Sequence, residues 1–399
     1  MSSKLRVGIV GCGILGTNHA QFFARHKRTT VVAVADRLPG RAAKVAEDIG
    51  ARAYDGHEAM LAGEALDLVV VATPDPFHRD PLLAAAARGV PNIVTEKPMA
   101  TSVSDAEAML AASGRAGSRL WVHLPSRCGP AEIATRYVVQ EGLIGAPIYG
   151  DLTVDDNISV PTYMWRDRSK EWAAGSSVAQ FLFSHVVDRM RWIFEPAEVE
   201  EIRAITVSRV LGVTPDVFDA HLTWSNGLVL RVKAEWIRHM ENLVDGRFTL
   251  SGERGGIVNH TNPGFAVEGG WQATLDPSVS ASRLEEHQQA LQERGVIARA
   301  VMRRPHPDVE GEGPRPSLEV TRKFLPLFGG DPEPTMRDHI IAAILERVDV
   351  PPTWKGGGRL PTGEDGLVQT RIVCGIEEAA RTGRAVHLSS PAGAAARRS

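Results

Sequence analysis

A glycine cluster near the start of the sequence has the spacing of a dinucleotide-binding loop. Residues 11–16 read Gly-Cys-Gly-Ile-Leu-Gly and stand between a short apolar run and a helix-like segment. In such a loop the first glycine permits a tight turn, the second lets the backbone approach a pyrophosphate, and the third lets helix and strand pack closely. The phosphates bind unpaired N–H groups at the helix N-terminus. The residues predicted to contact a cofactor here are Gly11, Gly13, Ile14, Leu15 and Gly16.

Asp36 indicates which dinucleotide is bound. It ends the next predicted strand, twenty residues after Gly16. An acid at this place accepts hydrogen bonds from the adenosine ribose and repels a 2′-phosphate, so NAD is favoured over NADP. Arg37 beside it weakens that preference, because an arginine can accommodate the phosphate. The alternative is a Rossmann domain that is purely structural and no longer binds a cofactor.

These residues need a parallel sheet to position them, and residues 1–125 have the matching pattern. Short β-branched runs alternate with helix-like segments at 40–49, 81–88 and 104–116, which predicts a parallel sheet covered by helices, an N-terminal Rossmann domain of the α/β class. The predicted strands are Val7–Val10, Val31–Asp36, Leu66–Thr73, Asn92–Thr95 and Leu120–Leu124.

After Pro125 the pattern changes to that of an α+β domain. Helix-like segments at 131–141 and 177–194 are followed by long stretches in which apolar and polar residues alternate, which is typical of antiparallel strands. Ser225-Asn226-Gly227 is a strong hairpin signal. We predict a large, mostly antiparallel open sheet in a substrate-binding and oligomerisation domain over residues 126–390, a loop at Pro305–Pro316 and a mobile tail over 391–399.

Composition excludes several other classes of function. Hydrophobic residues make up 43% and charged residues 23%, the balance of a folded soluble protein. A net charge of -3 gives no positive field for nucleic acid, and no window is apolar enough to span a membrane. Three scattered cysteines fit a reducing cytoplasm, and neither histidines nor cysteines show the spacing of a metal site, so no metal is expected.

Further motifs make the sequence more specific than a generic Rossmann domain. Ala72-Thr73-Pro74 is followed by His78, Glu96-Lys97-Pro98 comes next, and residues 185–188 read His-Val-Val-Asp. Together with the glycine loop they resemble the Gfo/Idh/MocA family of glucose-fructose oxidoreductase and inositol dehydrogenase. The resemblance covers nearly the whole chain and is closer in its first half.

The resemblance implies that Lys97 lies beside the nicotinamide and handles the proton of the substrate hydroxyl. Hydride leaves the alcohol carbon only as the O–H proton is removed, and a positioned amine can accept that proton. Burial or a neighbouring positive charge can lower the pKa of a lysine far enough for this role. The alternative is that Lys97 pairs with Glu96 or caps a loop.

His185 matches the catalytic histidine of the family, but its surroundings depart from the pattern Asp-x-Gly-x-His-x-x-Asp. Phe181 stands at the aspartate position and Phe183 at the glycine position. Phenylalanine cannot orient an imidazole, so the usual trio of lysine, aspartate and histidine is incomplete. His185 is interpreted as a substrate ligand or as an interior histidine, and Phe181 as part of an apolar pocket wall. Asp188 either bonds His185 or has a structural role.

The resemblance assigns weaker roles to other residues. His78 lies near the cofactor in relatives, or it makes a hydrogen bond at a helix N-terminus. Arg127 is a candidate substrate ligand. The other candidate cofactor contacts are Thr73, Pro74, Glu96, Trp165 and Arg166.

The resulting prediction is an NAD-dependent oxidoreductase that acts on a secondary hydroxyl of a sugar, cyclitol or glycoside. Two alternatives stay open: an enzyme that uses NAD transiently for elimination, glycoside cleavage or epimerisation, and a non-catalytic NAD-binding sensor. The only other partner expected is a second copy of the chain, because relatives form homodimers or homotetramers.

Overall fold

The computed structural model describes residues 4–38, 40–164, 169–260, 270–304, 313–321 and 334–388. Several predicted features therefore lie outside the described residues: Trp165, Arg166, the tail over 391–399 and residues 305–312 of the predicted loop. Within the described part, the Cα positions group into two compact units. Each unit is built around its own sheet.

The first unit contains a six-stranded sheet in the order β3-β2-β1-β4-β5-β6. All five pairings are parallel. The order reverses between β1 and β4, and this reversal creates the crevice where ligands of such sheets bind. The strands are β1 (Leu5–Val10), β2 (Thr29–Ala35), β3 (Arg52–Tyr54), β4 (Leu68–Val71), β5 (Asn92–Thr95) and β6 (Arg119–Val122).

Buried apolar strands and well-capped helices explain why this unit forms. All four residues of β4 are buried, as expected for a parallel strand covered on both faces. Ser102 accepts a hydrogen bond from the Asp105 N–H and begins a helix that ends at Gly117 in the left-handed conformation. The helices between the strands are α1 (Ile14–Arg25), α2 (Arg41–Ile49), α3 (His57–Gly63), α4 (Arg79–Ala87) and α5 (Val103–Ala116).

The second unit contains a ten-stranded sheet in the order β14-β15-β13-β12-β11-β7-β10-β9-β8-β16. Among the described strands of this sheet, only β7 and β10 pair in parallel; the other pairings are antiparallel. Burial alternates along β10, so one face of the strand packs on the core and the other carries ion pairs such as Arg231–Asp219. The strands are β7 (Pro147–Asn157), β8 (Val199–Val207), β9 (Val217–Trp224), β10 (Val229–Arg238), β11 (Val244–Gly252), β12 (Gly256–His260), β13 (Gly270–Thr274), β14 (Ala298–Arg303), β15 (Arg315–Thr321) and β16 (Val386–His387).

The remaining helices begin after Cys128. They are α6 (Pro130–Gln140), α7 (Ser159–Thr162), α8 (Ser169–Gly175), α9 (Ser184–Phe194), α10 (Ala281–Glu293), α11 (Met336–Glu346) and α12 (Gly363–Thr382). A π-helical turn, Ala179–Phe183, leads directly into α9. No helix among the described residues is both long and apolar enough to cross a membrane.

The predicted fold class is confirmed: a parallel Rossmann sheet is followed by a large, mostly antiparallel sheet. The predicted bounds of β5 match those of the structure, and the predicted hairpin turn at Gly227 has a φ of 86°. The structure adds elements without a predicted counterpart: β3, α3, α7, α8, α10, the strands from β12 to β15, and β16. The prediction assigned α11 and α12 to the second domain, whereas Cα positions group α11, and α12 up to Cys374, with the first unit.

Candidate functional site

The glycine loop has the geometry that a bound pyrophosphate needs. Gly11 follows β1 with a φ of 96°, and a side chain there would collide with the backbone of Ala72. A side chain on Gly16 would collide with the carbonyl of Gly11. By contrast, no described atom lies within 4 Å of where a side chain on Gly13 would begin. The backbone at the N-terminus of α1 is therefore open to a ligand.

Two large apolar side chains are exposed beside this opening. Ile14 and Leu15, the first residues of α1, are 47% and 41% exposed. The first turn of α1 also holds no acidic residue that would repel phosphate. The loop thus fits a dinucleotide: the first N–H groups of a helix have no partner within the helix and can bind phosphate, and apolar side chains lie exposed beside them.

Asp36 has its carboxylate held in place next to this loop. One oxygen accepts the N–H of Cys12 at 2.8 Å and the other accepts the N–H of Leu38 at 2.8 Å. Each oxygen keeps acceptor capacity for a ribose hydroxyl. The guanidinium of Arg37 lies 4.7 Å from the centre of the Phe77 ring. Burial, together with the charge of Asp36, raises the pKa of Cys12 to about 12, so this thiol is not a nucleophile at neutral pH.

Lys97 lies at the carboxyl edge of the same sheet. It follows β5, which pairs with β4, and β4 pairs with β1 and thus with the strand that leads into the glycine loop. Adjacent strands are about 4.8 Å apart, which places the lysine segment roughly 10 Å from the loop. Lys97 is 6% exposed, and its peptide bond to Pro98 is cis.

His78 connects two segments of this edge. Its Nδ1 lies 2.8 Å from the carbonyl oxygen of Pro98, and its Nε2 lies 2.8 Å from that of Thr73. The Thr73 hydroxyl in turn donates to the carbonyl of Phe77 at 2.8 Å. Both ring nitrogens of this buried histidine therefore face backbone. These contacts favour the structural interpretation, in which His78 holds the Pro74 and Pro98 segments together.

Glu96 forms a buried cluster with two histidines. Its Oε1 lies 2.7 Å from His19 Nε2 and 2.8 Å from His123 Nδ1. Such a set can also ligate a metal, and the three ligand atoms lie within 4.8 Å of one another. The two short separations are those of hydrogen bonds. Sequence reasoning missed this cluster because its members are far apart in the chain, although Glu96 and His123 both directly follow strands that pair side by side.

The cluster predicts a loss of stability in acid. Burial lowers the pKa of His19 from 6.5 to about 4, so the unfolded chain binds a proton that the folded chain does not. The free energy of unfolding therefore has its full value above pH 6.5. It decreases by on the order of 3 kcal/mol as the pH falls toward 4. Urea unfolding at several pH values should show this slope, and His19→Gln should flatten it. The exposed His221 gives the control, because His221→Gln should leave the slope unchanged.

In the second unit, His185 is the second residue of α9 and is half-buried. The segment before it is not α-helical but forms the π-helical turn. Phe181 lies in this turn, with its ring 5.0 Å from Trp172 and 5.9 Å from Trp236, centre to centre. The position that carries aspartate in the family pattern is thus part of an aromatic cluster. This agrees with an apolar wall and leaves His185 without an aspartate at that position.

Asp188 is bound by Arg127. The Nε of Arg127 donates to Asp188 Oδ2 at 2.8 Å and a terminal nitrogen donates to Oδ1 at 2.5 Å. The side chains are 2% and 0% exposed, so this is a buried bidentate ion pair. Asp188 therefore has a structural partner, and Arg127 is fixed in one orientation.

Comparison with known proteins finds a matching family model for each of the two units. The family model described as "Oxidoreductase family, NAD-binding Rossmann fold" matches residues 5–124, and the Gfo/Idh/MocA C-terminal domain model matches residues 133–258. A D-apiose dehydrogenase of Paraburkholderia graminis is 32% identical over 52% of this chain and 53% of its own length. An inositol 2-dehydrogenase of Acidothermus cellulolyticus is 32% identical over 54% of this chain and 61% of its own length.

These matches span little more than half the length of the curated relatives. Similarity of fold covers a larger part of this chain than similarity of sequence does. The WlbA dehydrogenase of Bordetella pertussis, solved in complex with NADH and UDP-GlcNAcA, superimposes with a TM-score of 0.74 at 22% identity, covering 98% of this chain and 99% of that one.

Proposed function

Because the chain belongs to the Gfo/Idh/MocA oxidoreductase family, we propose that it transfers hydride between NAD and a secondary hydroxyl of a sugar, cyclitol or glycoside. One observation carries the proposal: a buried lysine lies at the carboxyl edge of the parallel sheet, two strands from an open glycine loop. Ligands of such sheets bind at this edge. This position supports a role for the lysine at the nicotinamide end of a dinucleotide that is anchored at the loop.

We assign each candidate residue a role that follows from its chemistry. NAD supplies a hydride acceptor, and the alcohol becomes a ketone when its carbon loses hydride and its oxygen loses a proton. Lys97, as the neutral amine, accepts that proton and returns it in the reverse direction. His185, which is half-buried, would orient the substrate, with Phe181 forming an apolar wall beside it. Arg127 is kept as a candidate substrate ligand, although its pairing with Asp188 leaves it little freedom.

The substrate class is taken from relatives and from the site chemistry. The similar proteins named above are an apiose dehydrogenase and an inositol dehydrogenase. Their substrates are polyhydroxylated rings or chains. Phe181 replaces a charged residue with an aromatic ring, and sugar C–H faces pack well on aromatic rings. A glycoside or a sugar with an apolar substituent is therefore our first choice of substrate.

The test is a spectrophotometric assay for reduced nicotinamide with a panel of free sugars, cyclitols and aryl glycosides. We expect stoichiometric NADH formation with at least one member. Product formation with only trace NAD would instead favour transient redox chemistry. NAD binding without turnover of any member would favour a sensor.

We expect Asp36→Asn to weaken the preference for NAD. The amide cannot give the ribose hydroxyls charge-assisted hydrogen bonds, and such bonds to charged groups contribute about 1.5–3 kcal/mol. The Kd for NADH, measured by fluorescence titration, should rise about tenfold or more. The Kd for NADPH should rise less, because the carboxylate that repels the 2′-phosphate is gone. Asp48, which is exposed on α2, provides the control, and Asp48→Asn should leave both Kd values unchanged. If the ratio of the Kd for NADH to the Kd for NADPH were the same in Asp36→Asn as in the wild type, the assignment of Asp36 would be contradicted.

We also propose that the chain forms a homodimer or homotetramer. The basis is the half-exposed, ion-paired face of the ten-stranded sheet, a large surface available for a second copy. Solution mass from sedimentation equilibrium tests this, and a monomer at micromolar concentration would exclude it.

A further inference from the structure

The residue directly before the proposed acid/base catalyst is a buried carboxylate with two imidazole partners. His19, Glu96 and His123 are all buried, and both histidines contact the same carboxylate oxygen, Oε1. The other oxygen, Oε2, accepts the backbone N–H of Lys97 at 3.2 Å. Glu96 is therefore bonded on one side to the histidines and on the other to the backbone of the lysine.

The protonation of this cluster follows from its geometry. Burial alone would raise the pKa of Glu96, but the two imidazoles, His123 above all, hold it well below its ordinary value. An ionised carboxylate only accepts hydrogen bonds, so His19 Nε2 and His123 Nδ1 must carry protons. Among the described residues, the opposite nitrogens, His19 Nδ1 and His123 Nε2, have no hydrogen-bond partner. The N–H groups of His19 Nε2 and His123 Nδ1 therefore both stabilise the ionised form of the Glu96 carboxylate.

The three members come from different parts of the first unit. His19 lies on α1, the helix that begins at the glycine loop, whereas Glu96 and His123 follow β5 and β6. Lys97 is the residue after Glu96 in the chain, and Arg337 on α11 is a charged group outside the cluster that lowers the pKa of His19. Arg337 is itself bound to Asn18 at 2.6 Å. The cluster thereby joins the cofactor helix to the lysine segment.

We propose that Glu96, held by His19 and His123, is a positioning residue that fixes the Lys97 backbone and sets the proton affinity of the Lys97 amine. The inference rests on the proposed role of Lys97. A neighbouring carboxylate favours the charged form of an amine, so it stabilises the lysine after it has accepted the substrate proton. In the ketone-reducing direction, the same anion keeps a proton on the lysine, ready for donation.

The test measures Lys97 directly and needs no substrate. Protein labelled with ¹³C at the ε carbon of lysine is titrated by NMR, and the Lys97 signal is identified by its loss in Lys97→Arg. In Glu96→Gln, which keeps the size of the side chain but not its charge, we expect the apparent pKa of Lys97 to fall by about one unit, a tenfold loss of proton affinity. Glu96→Asp, which keeps the charge, should restore much of the shift.

Glu64 provides a matched control in the same unit. It is a nearly buried carboxylate that pairs with Arg6 at 3.1 Å and Arg52 at 2.9 Å. Glu64→Gln should lower the unfolding temperature and leave the Lys97 titration unchanged. A titration of Lys97 that is the same in wild type, folded Glu96→Gln and Glu64→Gln would overturn the proposal. So would a stoichiometric metal ion in the purified protein, since the histidine nitrogens would then be ligands and not donors.

Activity then separates this inference from the proposed function. If a sugar is oxidised, Glu96→Gln should shift the pH profile of kcat in the same direction as the titration and lower kcat by up to about 100-fold, with NAD affinity nearly unchanged. If the titration shifts but no sugar is oxidised, the cluster acts on Lys97 as proposed and the dehydrogenase assignment fails.

Discussion

Replacing Lys97 with methionine is expected to lower kcat/KM for the sugar by about 10³-fold, within the range of 10² to 10⁴ that positioned acid/base groups contribute. Methionine is similar in length and apolar, so it can occupy the buried position of a side chain that is 6% exposed. The loss should fall mainly on kcat, because proton removal is needed in the transition state. The measurement is steady-state NADH formation at several pH values.

The controls for Lys97→Met separate chemistry from folding and cofactor binding. Lys44 lies exposed on α2, and Lys44→Met should retain full activity. The Kd for NADH should change less than about threefold in Lys97→Met, since the glycine loop and Asp36 are intact. Retention of more than a tenth of the activity would show that another group or water takes the proton.

Breaking the buried ion pair of the second unit is expected to have the largest effect on stability. Asp188→Asn removes the carboxylate that pairs with the guanidinium of Arg127, in a place where the two side chains are 0% and 2% exposed. Removing one partner of such a pair costs about 3 to 5 kcal/mol, because the remaining charge stays buried after the loss of its ion pair. Urea unfolding measures the difference as a shift in midpoint at constant slope.

Two comparisons make this stability test specific. Arg127→Met combined with Asp188→Leu removes both charges and should be less destabilised than Asp188→Asn alone. The pair Arg203–Glu201, at 2.7 Å and with side chains 70% and 28% exposed, is the matched surface pair. Glu201→Gln should change the free energy of unfolding by less than about 1 kcal/mol. An effect of Asp188→Asn as small as that would mean that water reaches the pair.

The Rossmann half could be predicted from the sequence because its signals are local. The glycine loop, the acid after β2 and the four apolar residues of β4 each depend on neighbours in the chain. The strands from β12 to β15 could not be found in the same way. β12 and β13 each begin with glycine and are only five residues long, and their pairing depends on partners far along the chain. Their stability comes from the sheet and not from their own sequence.

The site was predictable residue by residue but not as a set of contacts. The sequence indicates Lys97, His185 and Arg127 as candidates, but the partner of Arg127 is Asp188, 61 residues away. Glu96 stood out only as a neighbour of the lysine, whereas the structure brings it to histidines 77 and 27 residues away. Such contacts depend on strand order, which places β5 beside β6. Polar side chains directly after adjacent parallel strands are the signal that could have identified Glu96 and His123.

The π-helical turn before α9 has a consequence for how this chain is compared with its relatives. Such turns close hydrogen bonds to the fifth residue and not the fourth, so they accommodate one residue more than an α-helical turn. An ungapped alignment counts four residues back from His185 and arrives at Phe181. An alignment that opens a one-residue gap inside the turn instead equates Gln180 with the aspartate position. Ancestral reconstruction across this segment should therefore compare both alignments, one with Phe181 and one with Gln180 at the aspartate position.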